Sequence, residues 1–313
     1  MIQTCCYVNS LSPNKRWYRE VIRPFRNCEK GFFVPKRSNE MTKQTLVLIQ
    51  MDIAFGQPEV NYQHVIELFE QADLKGDEIV VLPEMWNTAY DLTRLVQIAD
   101  PAGQQTPRVL SDLAKKYHVT IFGGSVAVEE NEAFFNRSYI ISTEGTVLAQ
   151  YDKVHLFGLM HEEEYLTAGA KRAEYRDGLF HFAPVICYDL RFPEWFRIQA
   201  RMGINTFILS AQWPEPRIEQ WKQLAIARAI ENQSYIVAVN RVGADPENQY
   251  NGHSLVVTPT GEILKELGTK EEIVRCVIEL EQIQTARNQM SVLTDSRPEL
   301  YEQIRKGEIT DAN

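Results

Sequence analysis

Short, unbroken apolar runs alternating with amphipathic stretches constrain this chain more than any other feature. Leu46-Val47-Leu48-Ile49 and Ile79-Val80-Val81-Leu82 offer no polar residue to water, so each reads as a strand buried on both faces. Between them, residues 59–74 place Val65, Leu68, Phe69 and Ala72 on one helical face. The spacing then predicts a helix over 106–117 and a strand over 119–128. A hairpin joins 139–142 to 146–151 about Glu144-Gly145. The second half repeats this grammar: strand 179–186, helix 194–202, strand 204–210, helix 221–232 and strand 235–242. A hairpin follows about Thr260-Gly261, between 254–258 and 262–267, and a last strand over 273–280 precedes a polar tail. Two α/β halves with mixed sheets and no Gly/Pro/Ser-rich linker imply a single α/β domain of two related layers.

Several function classes drop out. The longest apolar runs are strand-sized, well short of the roughly 18–20 residues of a membrane-spanning helix, so no membrane role is expected. A formal charge of −9 is opposite to what a duplex nucleic-acid binder carries. The five cysteines, Cys5, Cys6, Cys28, Cys187 and Cys276, form no CxxC pair and no zinc spacing. That usage points to a reducing, cytoplasmic compartment and to no metal. Neither G-x-G-x-x-G nor a Walker loop is present, so no cofactor is expected. Residues 1–40 stand apart. Eight Lys/Arg against three Glu give them +5 and leave −14 for the rest. They lack the apolar core of a secretory signal. The reading is an extension upstream of a start at Met41, largely disordered, ahead of a single domain over 41–313.

Chemistry concentrates in three strings. In Pro184-Val185-Ile186-Cys187-Tyr188-Asp189-Leu190-Arg191, a cysteine directly follows a buried strand and precedes a helix. That turn presents a side chain at the carboxyl edge of a sheet, where α/β proteins place ligands. The adjacent helix N-terminus favours a thiolate. A single cysteine is ordinarily just a small buried apolar side chain. Val81-Leu82-Pro83-Glu84 ends a strand on a carboxylate, and Asp152-Lys153-Val154-His155 sets a lysine among apolar residues. Each alone is ordinary, but together they are chemically complete. Glu84 can take the thiol's proton, and Lys153 can stabilise the negative oxygen that forms when sulfur attacks an amide. None of the six histidines sits in a Cys-His motif; His155, beside Lys153, either lines the pocket or packs, and packing is the favoured reading.

These strings, LPEMW at 82–86, DKVHLF at 152–157 and VICYDLRFPEW at 185–195, resemble the nitrilase superfamily of carbon–nitrogen hydrolases from Thr45 to about Tyr301. Glu84 and Lys153 lie 69 residues apart, and Lys153 and Cys187 34 apart. The resemblance implies a four-layer α-β-β-α sandwich that dimerises into an eight-layer assembly, hence a homodimer. It implies a Glu84, Lys153, Cys187 triad. It also implies a second glutamate in the following loop, for which Glu162, seven residues before Gly169, is favoured over Glu163 and Glu164. CYDLRFPEW at 187–195, SAQWPEPR at 210–217 and ARAIENQSYIVAVNRVG at 227–243 resemble the bacterial omega-amidase branch, which hydrolyses 2-oxoglutaramate and related 2-oxo acid amides. A small-molecule amide is then the partner. Arg191 either grips a substrate carboxylate or pairs with Asp189 or Glu194. Trp213 and Arg217 are further candidates for the pocket wall, and Trp213 equally fits the core. The alternatives are another branch, acting on N-carbamoyl amines or short aliphatic amides, and a non-catalytic scaffold.

Overall fold

The computed structural model describes residues 42–308; the expectation for residues 1–40 lies outside them. Two β-sheets form. The first runs Glu272–Glu279, Lys43–Gln50, Ile79–Val81, Thr120–Phe122, Ala133–Ile141, Val126–Glu130 and Asp100–Pro101, with Val147–Asp152 also pairing Ala133–Ile141. The second runs Ile263–Glu266, Leu255–Val257, Tyr235–Asn240, Thr206–Ala211, Phe180–Ile186 and Tyr175–Asp177. The central strands of each sheet are parallel, and the edges and hairpins are antiparallel.

The period-2 alternation of the apolar runs explains how these sheets stack. Along Lys43–Gln50, Leu46 and Leu48 enter one apolar cluster while Val47 and Ile49 enter another. Ile79 and Val81 likewise part from Val80 and Leu82. In the second sheet, Val237 and Val239 face the cluster that holds Leu46, while Ile236 and Ala238 face away. The shared cluster is therefore the contact between the two sheets. The outer face of the first sheet packs on Pro58–Gln71 and Gln105–Tyr117 through Val65, Phe69 and Leu110. That of the second packs on Pro193–Arg201 and Ile218–Asn232 through Phe196, Trp221 and Ala225. The result is the α-β-β-α sandwich, and every strand with two apolar faces has a layer on each side. Among the described residues, no helix is long and apolar enough to cross a membrane.

Three expectations need correction. The strand expected over 119–128 is two, Thr120–Phe122 and Val126–Glu130, because Gly124 takes a left-handed φ of 63° rather than an extended one. The strand expected over 235–242 ends at Asn240, and Val242–Ala244 pairs instead with Gln249–Asn251. The tail after Glu279 is helical, with Leu280–Gln289 placing Leu280 and Ile283 in the apolar cluster shared by the two sheets.

Candidate active site

Glu84 lies just past the carboxyl end of Ile79–Val81, in a loop fixed by a neighbouring turn. Ser125 donates its N–H to the Pro83 carbonyl at 3.0 Å and accepts the Met85 N–H on Oγ at 3.0 Å. Trp86 Nε1 donates to the Gly123 carbonyl at 2.8 Å. A Cβ at Gly124 would run into the Pro83 carbonyl oxygen, so only glycine lets the two segments meet. Met85, next to Glu84, holds a left-handed φ of 45°. The second sheet closes in from the other side: Ser210 Oγ donates to the Leu82 carbonyl at 2.9 Å, and the Gln212 N–H donates to Glu84 Oε2 at 2.8 Å.

Three buried side chains and the hydroxyl of the partly buried Tyr90 meet at this junction. Lys153, just past Val147–Asp152, donates from Nζ to Glu84 Oε1 at 2.9 Å and to Glu162 Oε1 at 2.6 Å. All three side chains are fully buried. Glu84 Oε1 also accepts from Asn136 Nδ2 at 2.9 Å, and Glu162 Oε2 accepts the Phe157 N–H at 2.9 Å. Tyr90 brings its hydroxyl between the two carboxylates. Burial alone would pull the Lys153 ammonium down, but the Glu162 and Glu84 carboxylates outweigh it and hold it well above its ordinary range. Burial pushes the Glu162 carboxyl up, against the opposing pull of Lys153. Of the three acids at 162–164, Glu162 alone turns inward; Glu163 and Glu164 are exposed.

Cys187 follows the strand Phe180–Ile186 and opens a short 3-10 turn, Cys187–Arg191. Its φ is 40°, a left-handed value costing a non-glycine residue about 1–3 kcal/mol. Asp189 holds the turn in this shape. Its buried carboxylate accepts the Ile186 N–H at 2.9 Å and the Tyr151 hydroxyl at 2.7 Å, and meets His155 Nδ1 at 2.7 Å. The expectation that a helix dipole favours the thiolate needs correction. Burial pushes the thiol well above its ordinary range, the Glu84 carboxylate adds to this, and Lys153 only partly opposes it. The longer helix starts at Pro193, one turn too late to help. A resting thiol of this kind needs a base.

Cys187 lines a small pocket whose wall is formed by Phe157, Tyr188, Arg191, Trp213 and Arg217. Trp213 lines the pocket and also packs on Trp221 at 5.5 Å between ring centroids. The Arg191 guanidinium lies over the Trp213 ring at 4.9 Å and donates to Gln220 Oε1 at 2.8 Å. It forms no ion pair with Asp189 or Glu194, since Asp189 is engaged by Tyr151, His155 and the backbone. Arg217 lies over the Phe157 ring at 5.9 Å. Among the described residues, neither guanidinium has a carboxylate partner. His155 stacks on Phe192 at 3.7 Å and packs, as expected.

Sequence reasoning missed Tyr90, Asn136 and Gln212. Tyr90 lies only six residues past Glu84, and that proximity was the available signal. Asn136 and Gln212 reach Glu84 from 52 and 128 residues away and carry no local signal.

Residues 45–288 match the model of the carbon–nitrogen hydrolase family. A 2-oxoglutaramate amidase of Bacillus subtilis (strain 168) is 42% identical over 83% of this chain and 100% of its own length. A human omega-amidase is 29% identical over 83% of this chain and 98% of its own. Among solved structures, a CN-hydrolase superfamily protein from Xanthomonas campestris, with an arsenic adduct in its active site, superposes with a TM-score of 0.77 at 28% identity, covering 82% and 98% of the two chains. The shared sandwich and the extent of these matches make this chain a member of the carbon–nitrogen hydrolase family.

Proposed function

We propose that this enzyme hydrolyses the omega-amide of 2-oxo dicarboxylic acid monoamides, such as 2-oxoglutaramate and 2-oxosuccinamate, to the dicarboxylate and ammonia. Cys187 is the nucleophile, Glu84 the base, Lys153 the oxyanion stabiliser and Glu162 the second active-site glutamate. The observation that carries this reading is the buried Lys153 ammonium, shared between Glu84 and Glu162 beneath a thiol at the cavity floor.

The Cys187 thiol gives its proton to Glu84 while sulfur bonds to the omega-amide carbon. The carbonyl electron pair moves to oxygen, where Lys153 Nζ stabilises it. Collapse breaks the carbon–nitrogen bond, Glu84 returns the proton to nitrogen, and ammonia leaves a thioester. Glu84 then takes a proton from water, whose oxygen attacks the thioester carbon. The carbon–sulfur bond breaks, and the proton returns to sulfur as the acid departs.

The cavity wall supports the choice of substrate. Arg191 and Arg217 supply positive charge to the pocket wall without an ion-pair partner among the described residues, which suits a carboxylate and a 2-oxo oxygen. A 2-ammonium group, as in glutamine, would meet two like charges. Similarity to the 2-oxoglutaramate amidase points the same way. The test is ammonia release from 2-oxoglutaramate, glutamine, an N-carbamoyl amine and a simple aliphatic amide. Preference for 2-oxoglutaramate supports the reading, and preference for either of the last two overturns it. We further infer a homodimer, as the family resemblance implies, in the cytoplasm, as the cysteine usage suggests; a monomeric mass in sedimentation would refute the dimer.

A further inference from the structure

Tyr90 presents one hydroxyl to two carboxylates. Its oxygen lies 2.7 Å from Glu84 Oε1 and 2.6 Å from Glu162 Oε1, both distances at which a hydrogen belongs between the oxygens. A phenol has one hydrogen to give. Burial, and after it the charges of Glu162 and Glu84, push Tyr90 well above the ordinary phenol range, so that hydrogen stays in place. The second short contact needs a second hydrogen, and a carboxyl group must supply it.

Charge and donor counts agree. Lys153 supplies one positive charge against two buried carboxylates, and a net negative charge there has no water to solvate it. Glu84 already receives N–H donors on both oxygens, from Lys153, Asn136 and the Gln212 backbone. Glu162 receives only two, from Lys153 and the Phe157 backbone. Glu162 therefore has more room for a hydrogen of its own. The titratable groups facing the Tyr90 hydroxyl are Glu84, Glu162, Lys153 and Cys187. The rest of the ring packs against an apolar cluster that includes Met85, Leu92 and Leu95.

We propose that the resting site holds one proton more than its ion pair requires, carried on Glu162 and donated to the Tyr90 oxygen, while the Tyr90 hydroxyl donates to Glu84. Tyr90 is a positioning residue: it aims Glu84 and keeps Glu162 neutral. This rests on the reading of Cys187 as nucleophile and Glu84 as base. With Glu162 neutral, Lys153 answers to one carboxylate and keeps positive charge for the oxyanion. When rising pH removes the extra proton, two carboxylates compete for Lys153 and turnover falls.

The protonated arrangement gains two hydrogen bonds from Tyr90 and the deprotonated one gains a single bond plus an oxygen–oxygen clash. Removing the hydroxyl therefore favours loss of the proton. Tyr90→Phe should cut kcat for 2-oxoglutaramate by about 10- to 100-fold, the range for a hydrogen bond to a charged group. It should also move the alkaline limb of the kcat profile to lower pH by about one unit. A uniform drop at every pH with an unmoved limb would mean that Tyr90 only packs, and would overturn the proposal. Infrared spectroscopy supplies a readout independent of turnover. A protonated-carboxyl stretch should persist at neutral pH in the wild-type enzyme and disappear at lower pH in Tyr90→Phe, whose melting curve reports whether it folds. No such band at neutral pH in the wild type overturns the proposal. A band in an enzyme that releases no ammonia from any amide would instead overturn the assigned function and leave the proton placement standing.

Discussion

Replacing Lys153 with methionine separates the chemistry of the buried cluster from its architecture. The substitution keeps the length of the side chain and removes the ammonium that both Glu84 and Glu162 contact, at 2.9 and 2.6 Å. Taking one partner from a fully buried ionic cluster costs about 3–5 kcal/mol, because the remaining charge has no water to turn to. For a domain of this size each kcal/mol lowers Tm by about 2–4 °C, so Lys153→Met should melt about 6–20 °C below the wild type. The deficit should depend on pH. Burial already raises the folded-state value of Glu162 above the ordinary 4.5 against the pull of Lys153. Without Lys153 it rises further. The folded state then binds its proton more tightly than the unfolded chain does. Stability is therefore present at acid pH and lost as pH climbs from the ordinary carboxyl range through the raised value. Calorimetry from mildly acidic to mildly alkaline buffer should show the gap between mutant and wild type widening with pH. A Tm within a degree or two of wild type, or a gap that does not change with pH, would refute the argument that the Lys153 ammonium offsets the negative charge of the buried glutamates.

Two further substitutions probe the cavity and the turn. Arg191→Met should lower kcat/KM for 2-oxoglutaramate by about 10³-fold and change a neutral amide of similar length far less, since a site built for an anion discriminates steeply against its absence; equal losses would show that Arg191 supports the turn through Gln220 rather than reading the substrate. Asp189→Asn should lower kcat about 10- to 100-fold with little change in KM, by loosening the left-handed turn at Cys187 that Asp189 holds; unchanged kcat would show that the turn needs no such anchor.

Much of the sandwich is legible in the sequence because a strand buried on both faces must be apolar at every position, and Leu46–Ile49 and Ile79–Leu82 are. The return of Glu272–Glu279 to the first sheet is not legible, since nothing in a strand's own residues names its neighbour. The same division holds at the candidate site. Glu84, Lys153 and Cys187 each end or follow a strand inside a distinctive string. Asn136 and Gln212 are ordinary polar residues whose meaning comes from the fold that brings them to Glu84. The dipole argument at Cys187 fails for a physical reason: burial, with Glu84 nearby, outweighs the end of a helix that starts six residues later.

The central claim is that Cys187 becomes an acyl thioester during amide hydrolysis. Rapid acid quench of the enzyme with 2-oxoglutaramate, followed by intact-mass and peptide analysis, tests it directly. The account predicts an adduct with the mass of the substrate less ammonia, on the peptide carrying Cys187, and its complete loss together with activity in Cys187→Ala. An adduct on the peptide carrying Cys276, or full activity in Cys187→Ala, would contradict it.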